Sequence, residues 1–160
     1  MNKLAFFLAG FATTLLFFSC KDRKLNGYRY GNEDVMIEIR TTPCFGRCPV
    51  YEMSIDGMGM VTFTGERDVK KVGAYQKQLT AEETNKLFAA FEDSDYWAFE
   101  DEYSANVTDL PSTYLTYKHG EKAKKIRLYY NVPDSLANLS KMVKEIATSD
   151  EGWSAKTTDS

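Results

Sequence analysis

A basic excess, a second histidine and an apolar run of membrane-spanning length are all missing from this chain of 160 residues. The formal net charge of −3 at pH 7 leaves no cationic footprint to neutralise phosphates, so no nucleic-acid partner is expected. The longest apolar stretch, residues 4–18, falls short of the roughly 20 residues that a transmembrane helix needs. With His119 as the lone histidine, no acid–base pair or zinc set is spaced along the chain, and no metal or other cofactor is implied. His119 falls at an expected hairpin tip and reads as a turn residue. Glu100, Asp101, Glu102 and Asp109 gather in one acidic stretch, but their spacing fits no calcium loop and no catalytic carboxylate pair, which leaves a solvated loop. Internal repeats, heptads and low-complexity segments are absent as well, so one ordinary domain is expected.

What is present begins at the N-terminus. A short basic start, Met1-Asn2-Lys3, precedes the apolar run, which ends at Ser19-Cys20 and gives way at once to Lys21-Asp22-Arg23-Lys24. This is the layout of a secretory signal with its apolar h-region. Leu16-Phe17-Phe18-Ser19-Cys20 resembles the lipobox of bacterial lipoproteins, in which the cysteine is lipidated and becomes the new N-terminus. That resemblance implies a signal peptide at residues 1–19 and a lipidated Cys20 followed by a flexible tether to residue 34. Several acyl chains on one residue give stable anchoring where a single chain is marginal, so the membrane itself is the first expected partner. Lys21-Asp22 also resembles the charged tag that directs some lipoproteins to the outer face of the outer membrane. The expected location is therefore the cell envelope, at the outer membrane, with the periplasmic and surface faces both open.

From residue 35 the pattern turns to period two. Val35, Ile37 and Ile39 alternate with polar partners, and Tyr51, Met53 and Ile55 repeat the alternation before a turn at Asp56-Gly57-Met58-Gly59 returns the chain along residues 60–64. A weaker extended segment spans 69–79. Thr80-Ala81-Glu82-Glu83 has the form of a capping box and opens a helix over 81–93, with Thr84, Leu87, Phe88 and Phe91 on one face. Residues 112–119 and 123–130 read as two more strands, and Leu136, Leu139, Val143 and Ile146 mark a last helix after Pro133. The spacing predicts an α+β domain over 35–148: a small antiparallel sheet of about five strands in the order βββ(β)αββα, with both helices on one face. Leu87, Phe88, Phe91, Leu139, Val143 and Ile146 are expected to pack against Ile37, Ile39, Met53, Ile55, Leu115 and Leu128. Tyr51, Tyr117 and Tyr130 fall in phase with that core, and the polar tail 149–160 is expected to fray. Lys118, Lys122, Lys124, Lys125 and Arg127 make the last hairpin basic, as edge-blunting lysines or as contacts to anionic headgroups.

The most specific local feature lies between the first two strands, at Thr41-Thr42-Pro43-Cys44-Phe45-Gly46-Arg47-Cys48-Pro49-Val50-Tyr51. Cys44 and Cys48 would close a small disulfide ring, with Gly46 supplying an unusual backbone angle, and outside the cytoplasm oxidation is the default state. Two other chemistries stay open. Arg47 would favour a thiolate and so a redox-active pair, although the spacing is not C-x-x-C. A metal site would need ligands beyond two thiols.

The segment over residues 42–51 resembles the T-P-C-F-G-x-C-P-x-Y hallmark of a family of small bacterial domains of unknown function, numbered 6438, and the likeness runs on through Asp56-Gly57 and Asp109-Leu110-Pro111. The resemblance implies a fold and no activity. The expected function is a non-catalytic envelope module, structural or binding a protein, peptide or glycan. Its rival is a thiol-redox protein or other enzyme using Cys44 and Cys48.

Overall fold

In the computed structural model, residues 27–31, 33–106 and 110–156 are described. The signal segment, Cys20, Asp109 and the end of the tail lie outside them. Among the described residues no helix is long and apolar enough to cross a membrane.

Alternation of apolar and polar residues builds a single sheet around strand β1 (Val35–Thr41), whose Val35, Ile37 and Ile39 are buried while Arg40 is exposed. β2 (Val50–Asp56) and β3 (Met60–Arg67) form a hairpin, and β4 (Gly73–Gln78) adds to its outer side. The hairpin turn is held by Asp56 Oδ1, which accepts the backbone N–H groups of Met58 and Met60, both at 2.9 Å. Gly59 is required there: its φ is +74°, and an added Cβ would sit 2.3 Å from Thr84 Oγ1. On the other side of β1 lie β6 (Thr113–His119) and β7 (Lys122–Leu128), again a hairpin.

The expected small antiparallel sheet of about five strands is corrected to one eight-stranded mixed sheet, in the order β5-β7-β6-β1-β2-β3-β4-β8. Two strands of two residues make the difference. β5 (Glu102–Tyr103) runs parallel to β7 inside the stretch read as a loop, and β8 (Ser154–Ala155) pairs antiparallel with β4 from the tail expected to fray. Neither is long enough to show an alternation, so hydrophobic periodicity cannot detect them. The α+β character itself agrees with the sequence reading.

Helix α1 (Ala81–Asp93) starts at the capping box: Thr80 Oγ1 accepts the Glu83 N–H at 3.2 Å, and Glu83 Oε2 accepts the Thr80 N–H at 2.8 Å. α2 (Asp134–Thr148) follows Pro133. Both helices lie against the sheet face carrying Ile37, Ile39, Met53, Ile55, Leu115 and Leu128, and together they bury Leu87, Phe88, Phe91, Leu139 and Val143. Ile146 is only partly covered. Tyr51 and Tyr117 are buried as expected, whereas Tyr130 is 41% exposed because β7 ends before it. The packed unit also reaches beyond 35–148. Tyr30 is buried with its hydroxyl donated to Glu92 Oε2 at 2.6 Å, and Trp153 meets Phe63 edge-on, 5.4 Å between centroids.

Candidate functional site

The loop over residues 42–49 leaves the sheet at one end of β1 and returns into β2. Its neck is closed by Thr41, whose Oγ1 donates to the Pro49 carbonyl at 2.7 Å and accepts the Tyr51 N–H at 3.1 Å. Its flank is clamped to the segment before β6. Thr42 N–H donates to the Ser112 carbonyl at 3.0 Å, and Ser112 N–H donates to Thr42 Oγ1 at 2.9 Å. Cys44 and Cys48 are disulfide-bonded, with Cα atoms 5.8 Å apart, and Gly46 N–H donates to the Cys44 carbonyl at 2.9 Å. The bonded pair fits the spacing argument, but Gly46 does not supply the unusual angle expected of it. Its φ is not in the left-handed region, and a Cβ added there would meet only Cys44 Sγ, at 4.0 Å.

At the tip of this ring stands Phe45, 92% exposed. Arg47 beside it is exposed and has no ion-pair partner among the described residues. A large aromatic ring in water is held there by covalent closure on both sides. Among the described residues no histidine or carboxylate groups with the two sulfurs as a further metal donor. The sequence pointed to the cysteines and passed over Phe45. Its signal was available: an aromatic residue inside a ring too small to have an interior must face outward.

The sheet face away from the helices is polar. Glu38, Arg40, Glu52, Ser54, Thr62, Tyr114 and Thr116 line a shallow concavity of about 260 Å³ there. Its groups are largely satisfied internally, with Arg40 on Glu52 at 2.9 Å, Ser54 on Thr62 at 2.7 Å and the Lys125 ammonium 5.2 Å from the centre of the Tyr114 ring.

His119 is corrected from an isolated turn residue to the last residue of β6, facing groups from two distant segments. Its Nε2 lies 2.9 Å from Glu33 Oε2, and its Nδ1 lies 3.3 Å from the Tyr117 hydroxyl and 3.7 Å from Glu92 Oε1. Glu33, Glu92 and His119 are the described residues that could hold a metal ion, their ligand atoms lying within 4.8 Å of one another. The two ring nitrogens face different carboxylates, so the ring bridges the segment before β1 and the end of α1. Nothing in the spacing of positions 33, 92 and 119 announces it.

The acidic stretch and the basic hairpin prove to be partners. Asp101 pairs with Lys124 at 3.1 Å and Glu102 with Arg127 at 2.9 Å, while Lys118 pairs with Asp34 at 2.8 Å. Lys124 also donates to the Phe99 carbonyl. β5 pairs with β7 only at Arg127 and Leu128, so the stretch of β7 that carries Lys122, Lys124 and Lys125 has no paired strand on its outer side among the described residues.

Fold and loop together define an α+β domain that carries a covalently closed aromatic tip on the central strand of its sheet. The family model described as "Domain of unknown function (DUF6438)" matches residues 35–147, and the chain belongs to that family. The match runs from the start of β1 through nearly all of α2 and so contains the disulfide loop. No curated protein matches the chain.

Proposed function

We propose that this protein is a membrane-anchored envelope lipoprotein whose domain is a non-catalytic binding module, and that it docks a protein partner through Phe45 and Arg47. The observation that carries the reading is the 92% exposure of Phe45 on a ring closed by the Cys44–Cys48 bond. Burying such a side chain in a partner's pocket is favourable by about 1.5–3 kcal/mol. Aromatic residues and arginine are the residue types that dominate interface energetics. The ring, its neck at Thr41 and its clamp at Thr42 are formed without the partner, so little ordering entropy is lost on docking. The unpaired Arg47 calls for an apolar pocket with carboxylates on its rim.

The anchor rests on the lipobox-like segment ending at Cys20. The described chain begins at Gly27, whose carbonyl accepts a hydrogen bond from Asn85 of α1 at 2.9 Å, and enters β1 at the end opposite the disulfide loop.

A photocrosslinking residue placed at position 45 of the full chain in intact envelopes should yield one discrete protein adduct. The same probe at exposed Glu82 should not yield that adduct, and Arg47→Glu should remove most of it. Equal adduct patterns at both positions would overturn the docking reading. Independently, Cys20→Ala should abolish acyl labelling, and continued labelling would overturn the anchor. The redox alternative is favoured by one observation, the half-exposed state of both cysteines beside an unpaired arginine. Thiol trapping in envelopes decides it: a bond that stays oxidised supports the binding module, whereas a pair cycling through free thiols supports redox chemistry.

A further inference from the structure

Helix α2 packs across the ends of β6 and β7 and leaves a crevice of about 540 Å³ at that junction, within the usual range of small-molecule sites, roughly 300–1,000 Å³. Leu128, Val132 and Ala137 contribute apolar wall, Thr113, Ser140 and Lys144 are among its polar groups, and the exposed pair Lys141 and Glu145, 4.0 Å apart, also lines it. Two of those groups are short of partners. Ser140 is 4% exposed, and its Oγ is the buried side-chain polar atom without a hydrogen bond among the described residues. A buried hydroxyl is seldom left in this state, so it needs an explanation in a ligand or a bound water. Lys144 donates to Thr113 Oγ1 at 3.0 Å, but no carboxylate forms an ion pair with it among the described residues. Burial of its ammonium accordingly pushes it below the usual lysine range. The two residues stand four apart on α2, one turn along the same face.

A half-buried cation, an unpartnered hydroxyl and apolar walls are complementary to a molecule with one anionic accepting end and a hydrocarbon body. We propose that this crevice binds an aliphatic monocarboxylate of the fatty-acid class, its carboxylate against Lys144 at the turn of α2 that carries Ser140, and its chain along Leu128, Val132 and Ala137. With Lys141 and Glu145 offsetting each other, Lys144 is the one cation left over, which matches a monoanion. The site is separate from the Phe45 loop, and its failure would leave the docking reading untouched.

The test uses the full chain in detergent with a diazirine-bearing octanoate as the probe, followed by peptide mapping. Label should fall on the peptides containing Leu128, Val132 and the start of α2. Excess octanoate should compete at least tenfold better than octanol at equal concentration, a comparison that needs no mutant. Lys144→Met should cut labelling tenfold or more and Ser140→Ala about threefold. Label spread over the chain, equal competition by octanol, or Lys144→Met labelling within twofold of the parent would each overturn the proposal.

Discussion

Cys44 and Cys48 act chiefly on the unfolded chain, because closing a ring of so few residues removes conformations that the folded loop does not use. Replacing both by serine should lower stability by about 2 kcal/mol in denaturant melts and leave the far-ultraviolet spectrum unchanged. Phe91 acts on the folded state. Its ring is fully enclosed and lies 5.4 Å from Tyr96 and 5.3 Å from Tyr117, centroid to centroid, so Phe91→Ala should cost about 3–5 kcal/mol. A loss under about 1 kcal/mol would mean the cavity collapses in a way this packing does not allow. The spacing of Cys44 and Cys48 and the helical phase of Phe91 were legible in the sequence because both are local relations. The company of His119 and the unpartnered hydroxyl of Ser140 were not, since each depends on which distant segment the fold brings alongside.

Among the elements, α1 owes its start to a pair of reciprocal bonds. The Thr80 N–H, and after it the Thr80 hydroxyl, hold the Glu83 carboxyl below its ordinary value of 4.5. A lowered folded value means that this contribution is present above the unfolded value and is lost as the pH falls through the folded one. Glu83→Gln should therefore flatten the acid limb of the stability profile below about pH 4, and Thr80→Ala should cost about 1 kcal/mol at neutral pH. The tail is an element as well. Trp153 donates to the Ser149 carbonyl at 3.0 Å and lies under the Lys71 and Lys77 ammoniums, at 5.3 and 5.8 Å from the ring centre. Trp153→Ala should release β8 and lower stability by about 1–3 kcal/mol, with amide exchange rising along β4. Five strands and two helices were readable because each is long enough to show its period, and β4, which has no buried alternation, read only as a weaker extended segment. β5 and β8 were not, because two residues bury too little to leave a pattern and are held by the partner strand's backbone instead.

For the molecule as a whole, burial of phenols sets an alkaline limit. Burial pushes Tyr51 and Tyr117 up to about 12 from 10.0, Glu92 and Glu33 adding to the effect at Tyr117, and it raises Tyr30 and Tyr96 further. With folded values raised, the stability these groups contribute is complete below pH 10 and drains away as the pH climbs from 10 through 12. Ultraviolet titration should show these tyrosines ionising together with unfolding, and their titration near pH 10 in a still-folded protein would contradict the packing. The two-residue strands also matter at this scale, since each shortens the bare edge of β7 or β4 by two residues, and a longer bare edge invites pairing with other chains. Seen mechanically, the central position of β1 makes it a tie-bar. Its seven residues are already drawn out between Asp34 and the neck of the disulfide ring, at about 3.4 Å per residue. Tension from a partner gripping Phe45 runs along the covalent backbone of β1 as far as the segment that buried Tyr30 holds to α1, where its hydroxyl donates to Glu92. The ladders to β2 and β6 are spared that load and only keep the bar from turning.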